Sequence, residues 1–146
     1  MGIIKPHKIN SVECQTQDIP RIKKDGEQMI KLCFRPIGKY KGGFAVAHPQ
    51  VTASNPLRFF ATKNGSIIIN PKIVRHTEHQ INHKEGCLSF ANNEMTNALR
   101  WYKCEVEYFV IEGNDFVKKT ENLKDMDAYI FQHEIDHFDS VYIYDL

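Results

Sequence analysis

The chain has 146 residues, 42% hydrophobic and 25% charged, proportions of an ordinary globular protein. Its formal net charge of +1 gives no electrostatic case for nucleic-acid binding or for an anionic membrane. No apolar run approaches the roughly 20 residues of a membrane span, and the segment from Met1 to Pro6 lacks the apolar core of a signal peptide. The expectation is one cytosolic domain over residues 1–146, with Cys14, Cys33, Cys87 and Cys104 reduced.

The first 24 residues read as polar and irregular, with Pro6 and Pro20 as breakers. Their basic residues, Lys5, Lys8, Arg21, Lys23 and Lys24, read as a solvated face. From Glu27, Met29, Ile30, Cys33, Phe34 and Ile37 follow helical spacing, and Pro36 ends the regular part. Gly38 to Gln50 is poorly periodic. Phe59-Phe60-Ala61 and Ile67-Ile68-Ile69 read as short strands, the second closed by Asn70-Pro71. His76, His79 and His83 would share a face only on a helix; among Gln80, Asn82 and Lys84 they read as a solvated loop. Tyr102, Cys104, Val106, Tyr108 and Val110 alternate with polar residues, which predicts a half-buried strand with Cys104 inward. Gly113 turns the chain, and Phe116-Val117 starts the return strand.

The last helix is predicted to start near Asn122, with Asp125 in its first turn. Leu123, Met126, Ile130, His133 and His137 form one stripe, and Ala128, Phe131, Ile135 and Phe138 a second. Asp125, Gln132, Asp136 and Asp139 form a narrow polar strip. Glu134 falls between the apolar stripes, where an unbound carboxylate is costly. His133-Glu134-Ile135-Asp136-His137 is an H-E-x-x-H motif, whose two imidazoles lie one above the other on a helix and can reach one metal ion. Ser140 and Ile143 stand where a longer zinc-protease motif has Gly and its last His. The third ligand is therefore expected upstream, from the cysteines or the other five histidines. Beyond the helix, Val141 and Ile143 alternate with Tyr142 and Tyr144, which predicts a short closing strand.

Two further segments sharpen the reading. Glu85-Gly86-Cys87-Leu88-Ser89 precedes the helix, and Gly43-Phe44-Ala45-Val46-Ala47-His48-Pro49-Gln50 comes earlier still. Together the three segments resemble the E-G-C-Φ-S, H-E-x-D-H and G-Φ-G-Φ-A-A-x-Q signatures of the peptide deformylase family. Ala45 replaces the second Gly and His48 the second Ala. The resemblance implies that Cys87, His133 and His137 hold one divalent transition metal, with Fe(II) native and Zn(II), Ni(II) or Co(II) as substitutes. It also implies that Glu134 moves the proton of the attacking water, while the Leu88 N–H and the Gln50 amide stabilise the oxyanion. Gly43, Phe44, Ala45 and Gly86 would line the substrate cleft. Met126, Tyr129 and Ile130, one and two turns before His133, would take the methionine side chain.

The implied activity is removal of the formyl group from N-formylmethionyl peptides or nascent chains, and ribosome association is compatible with that substrate. Two alternatives stand beside it: a metallo-amidase or peptidase of other specificity, and a silent module that binds N-termini. At the second Gly position Ala45 would be strained only at positive φ. His48 is expected in a supporting or surface position, and Glu85 is expected to pair with Arg100. The fold class is α+β: short antiparallel strands around a central buried helix, plus an N-terminal helix.

Overall fold

The computed structural model describes residues 1–146. Helix α1 spans Ile19–Leu32, followed by strands β1 (Ala45–Ala47), β2 (Phe59–Thr62), β3 (Ile67–His76) and β4 (Gln80–Glu85). Strands β5 (Thr96–Trp101), β6 (Lys103–Glu112) and β7 (Asp115–Lys124) lead into helix α2, Asp125–Phe138. The larger sheet has five antiparallel strands in the order β1-β2-β3-β6-β7, and β4 and β5 form a separate two-stranded sheet. The expected α+β class is what the structure shows. No helix is long and apolar enough to cross a membrane.

The period-two geometry of β2 explains how two helices share one sheet. Phe59 points into a core with Ile22, Met29 and Leu32 of α1, while Phe60 points the other way, toward Ala128, Tyr129 and Phe138 of α2. Ile69 and Ile68 of β3 divide in the same manner. Gly26 lets α1 approach closely, since a Cβ there would stand 2.7 Å from Ile67 Cδ1. Helix α2 is covered on its far side by β5, so it is sandwiched between the two sheets.

Several sequence expectations need correction. Helix α1 starts at Ile19, well before Glu27, and Pro20 opens its first turn instead of breaking the chain. Lys23 and Lys24 obscured it because they are the solvent face of an amphipathic helix whose buried positions are Ile19, Ile22, Gly26, Met29 and Leu32. Phe34, expected on the helix, lies beyond its end and is exposed. Asn70-Pro71 does not close β3. The strand continues to His76 through a register shift between Ile69 and Lys72. Asn70 takes φ +49° there, and its side chain bonds the Cys14 N–H at 2.8 Å and carbonyl at 3.0 Å.

The segment from Gln80 to Glu85, read as a loop, is strand β4, paired residue by residue with β5. Asn122 does not begin α2 either. Asn122, Leu123 and Lys124 pair with Glu105, Cys104 and Lys103, and only then does Asp125, at φ +54°, turn into the helix. Val141 to Leu146 forms no strand: Ile143–Asp145 is a 3-10 turn, and Tyr142 and Ile143 are the buried residues. Of the alternating residues in Tyr102–Val110, Cys104, Val106 and Tyr108 are buried in β6 as expected, Val110 is half-buried, and Tyr102 lies before the strand and is exposed; Gly113 takes φ +62° in the turn that follows.

Candidate metal centre and cleft

One helical turn separates His133 from His137, and their ring centroids lie 4.8 Å apart. Cys87 stands between the end of β4 and a 3-10 turn, Leu88–Phe90, which aims its sulfur at the helix. Donor atoms of Cys87, His133 and His137 all lie within 4.8 Å of one another, and Cys87 Sγ is 3.7 Å from His137 Nε2. This cluster brings the motif together with one upstream cysteine. The other three cysteines are buried free thiols, and burial pushes Cys14 up to about 12 and Cys33 to about 11.

A hydrogen-bonded layer orients the cluster. His133 Nδ1 donates to Glu85 Oε1 at 2.9 Å, leaving Nε2 to face the cleft. Arg100 grips the same carboxylate through Nε at 2.9 Å and Nη2 at 2.7 Å, and its Nη1 reaches Asp136 at 2.7 Å. Burial alone would raise the Glu85 pKa, but the hydrogen bonds from Arg100 and His133 hold it well below the usual carboxylate range. The expected Glu85–Arg100 pair is thus present, and Asp136 extends it. Gln132 and Asp136, expected on the narrow polar strip of α2, dock that strip onto β5. Gln132 is buried, accepts from the Trp101 N–H at 2.8 Å, and donates to the Trp101 carbonyl at 2.8 Å.

The donor set suits a metal cation. Burial opposes charge on His133, yet Cys87, Glu85 and Glu134 around it raise its pKa to about 10, so the place favours positive charge. Burial and the neighbouring His133 push His137 well below its ordinary value, toward the neutral form that ligates metals. Glu134 is 3% exposed, and its Oε1 has no hydrogen-bond partner. Such an orphaned carboxylate oxygen is costly unless a ligand or water meets it. Burial raises the Glu134 pKa to about 7, which suits a group that takes and returns a proton near neutrality. Cys87, His133 and His137 therefore fit a single divalent transition metal.

A cleft of about 390 Å³ opens above this cluster. Gln50, Leu88 and Glu134 line it, together with Gly43, Phe44, Ala45 and Gly86. Met126, Tyr129 and Ile130 of α2 line it as well, whereas His137 lies beneath. Phe44 is 66% exposed and Met126 41%, so both are available at the mouth and are not core residues. Gln50 is held by its Oε1, which accepts from the Ala47 N–H at 2.9 Å, while its Nε2 donates to Ser89 Oγ at 3.0 Å. Ala45 sits in β1 and is absent from the positive-φ residues, so it adds a methyl group without strain. A Cβ at Gly86 would meet the Tyr40 hydroxyl, so a larger residue there would have to displace that ring.

His48 is not a surface residue. It is fully buried, with Nδ1 accepting from the Leu57 N–H at 2.9 Å and Nε2 donating to Asp25 at 2.9 Å. It braces the 3-10 turn His48–Gln50 that carries Gln50. Tyr40, Lys41, Lys63 and Met95 also line the cleft without any signal in the sequence, and so do His83 and Lys84, expected in a solvated loop. A strand reading of β4 would have found His83, because period two puts it on the same face as Glu85, whose Oε2 it meets at 2.8 Å.

The sequence model of the family "Polypeptide deformylase" matches residues 4–146. A curated relative, peptide deformylase 2 of Geobacillus stearothermophilus, is 32% identical over 138 residues, covering 88% of this chain and 69% of the relative. The peptide deformylase of Streptococcus thermophilus is 34% identical over 102 residues, and the alignment spans 68% of this chain and about half of that protein, 48%. Among solved structures, the Thermotoga maritima peptide deformylase superposes with a TM-score of 0.77 at 29% identity, covering 94% of this chain and 87% of that one. The enzyme of Vibrio parahaemolyticus bacteriophage VP16T, solved in complex with actinonin, gives 0.77 at 25% identity, covering 98% of this chain and 100% of that one. By sequence and by fold, this chain belongs to the polypeptide deformylase family.

Proposed function

We propose that this protein hydrolyses the formamide of N-formylmethionyl peptides, releasing formate and a free methionine amine. The observation that carries the reading is the cluster of Cys87, His133 and His137, with His133 part-buried and the other two buried, at a cleft that Glu134 also lines with its Oε1 unpartnered. The three side chains would hold one divalent transition metal, natively Fe(II), with Zn(II), Ni(II) or Co(II) as substitutes, because a thiolate softens the site. When bound, such a metal supplies Lewis-acid activation of water and of the formyl carbonyl.

The chain's own residues supply the rest. Glu134 takes the proton of the attacking water and delivers it to the departing methionine nitrogen, a role worth roughly 10² to 10⁴ in rate. The Gln50 amide nitrogen and the Leu88 N–H are the donors for the developing oxyanion. Removing one such donor typically costs ~2.7–4 kcal/mol of transition-state stabilisation. Gln50 is pre-oriented for this by Ala47 and Ser89, so little reorganisation is needed on reaction. The methionine side chain enters between Phe44 and the α2 residues Met126, Tyr129 and Ile130. A formyl carbon bears only hydrogen, so a narrow floor admits it and excludes acetyl. Translation that begins with formylmethionine supplies the substrate, which puts the reaction in the cytosol on nascent chains.

The test is formate release from formyl-Met-Ala-Ser by iron-loaded protein purified anaerobically, with acetyl-Met-Ala-Ser as control. Formate release without acetate release is the expected result. No formate, or equal cleavage of the acetyl peptide, would overturn the reading, and the second outcome would favour an amidase of broader specificity.

A further inference from the structure

Every cationic side chain at the mouth of the cleft lacks a counter-ion. Lys41, Lys63 and Lys84 line it, and all three are exposed. None makes an ion pair, a state they share with most lysines of the chain, but here three such side chains line one concave opening. Lys63 Nζ instead lies 5.2 Å from the Phe34 ring centroid. The carboxylates that line the same cleft do not balance them: Glu85 is committed to Arg100, and Glu134 is buried at the floor.

The three lysines reach the cleft from three separate segments of the chain. Lys63 Nζ is 3.6 Å from where a Gly42 Cβ would stand, beside Lys41. Gly86, two residues after Lys84, abuts Tyr40, the chain neighbour of Lys41. Beyond Phe44, where Lys63 borders a second hollow, the acidic residues Glu121 and Asp127 begin. With a net charge of only +1 for the whole chain, this concentration of unbalanced positive charge is local.

We propose that Lys41, Lys63 and Lys84 form a cationic rim that selects formylated chains carrying Asp or Glu in the residues just after methionine. The proposal rests on the deformylase reading and specifies which substrates that site prefers. With the formyl group at the floor and the methionine side chain against α2, the next residues leave through the mouth and pass these lysines. One exposed pair contributes little, but three like charges around a concave mouth add to a single field.

The experiment compares kcat/KM for formyl-Met-Asp-Glu, formyl-Met-Ala-Ser and formyl-Met-Lys-Lys, using metal-loaded full-length protein. The expected order is acidic, neutral, basic, with about a fivefold span or more between the extremes at ~0.02 M salt, collapsing at ~0.5 M, where screening is short-ranged. In a Lys41→Gln, Lys63→Gln, Lys84→Gln triple variant the acidic-to-basic ratio should fall toward one. Lys84→Gln alone should lower it partly, which keeps the test sound if the triple variant folds poorly. Equal values for the three peptides, or a preference that survives in the variants, would overturn the proposal. If no peptide is deformylated, the deformylase reading fails on its own. The rim is then judged by fluorescence anisotropy with the same three peptides dye-labelled: acidic preference lost in the variants supports it, and indifference overturns it.

Discussion

His133 and Glu85 are joined by a 2.9 Å hydrogen bond that makes a β4 carboxylate the steering group of an α2 imidazole. Because Arg100 clamps that carboxylate from β5, one buried charge network ties three elements to the candidate metal centre. Removing the charge of Glu85 should therefore be felt both at the metal and in folding. Glu85→Gln is expected to weaken metal retention by roughly 10- to 100-fold, the usual cost of losing a group that orients a ligand. It should also lower the melting temperature, since Arg100 would remain a buried cation with only Asp136. Equilibrium dialysis against a chelator series and thermal melts check the two effects separately.

Elemental analysis of the anaerobically purified protein should find about one transition metal per chain, and Cys87→Ala should lose most of it. Cys104→Ala, in the core behind α2, should leave metal content unchanged although it opens a cavity. Full occupancy in Cys87→Ala would show that the sulfur is not a ligand.

Glu134→Gln keeps the shape of the side chain and removes its proton-accepting carboxylate. Metal content should stay near one per chain while kcat on formyl-Met-Ala-Ser falls at least ~10²-fold. Near-normal turnover would assign the proton transfer to another group.

His48 predicts a pH effect on stability that is separate from the metal. Its Nδ1 accepts the Leu57 N–H, so only the neutral ring satisfies both partners, and burial lowers its pKa from 6.5. The unfolded chain takes up this proton near pH 6.5, while the folded chain resists it to lower pH. The contribution of neutral His48 is accordingly complete above that pH and is lost as pH falls through it toward the lower folded value. Urea denaturation between about pH 7.5 and 5 should show this decline in the native chain and a flatter profile in His48→Asn. A profile that is equally steep in the variant would place the titration elsewhere.

What could be read from the sequence rested on short-range geometry. The four-residue interval between His133 and His137 implies a shared helix face wherever the helix lies, and alternation in β6 implies its buried side. The motif around Cys87 carried the third member of the cluster through family resemblance, because no local rule says which distant cysteine meets a helix. Tertiary pairing decided the rest. Asn122 and Leu123 carry a plausible helix start, yet β6 holds them in a strand, since ladder hydrogen bonds outweigh a weak capping signal. Gln132 belongs to the polar strip of its helix, and it becomes interior once the backbone of Trp101 arrives to satisfy its amide. His48 and His83 take their places for the same reason: a polar side chain is buried where distant residues supply its hydrogen-bond partners, and periodicity along one segment carries no record of those partners.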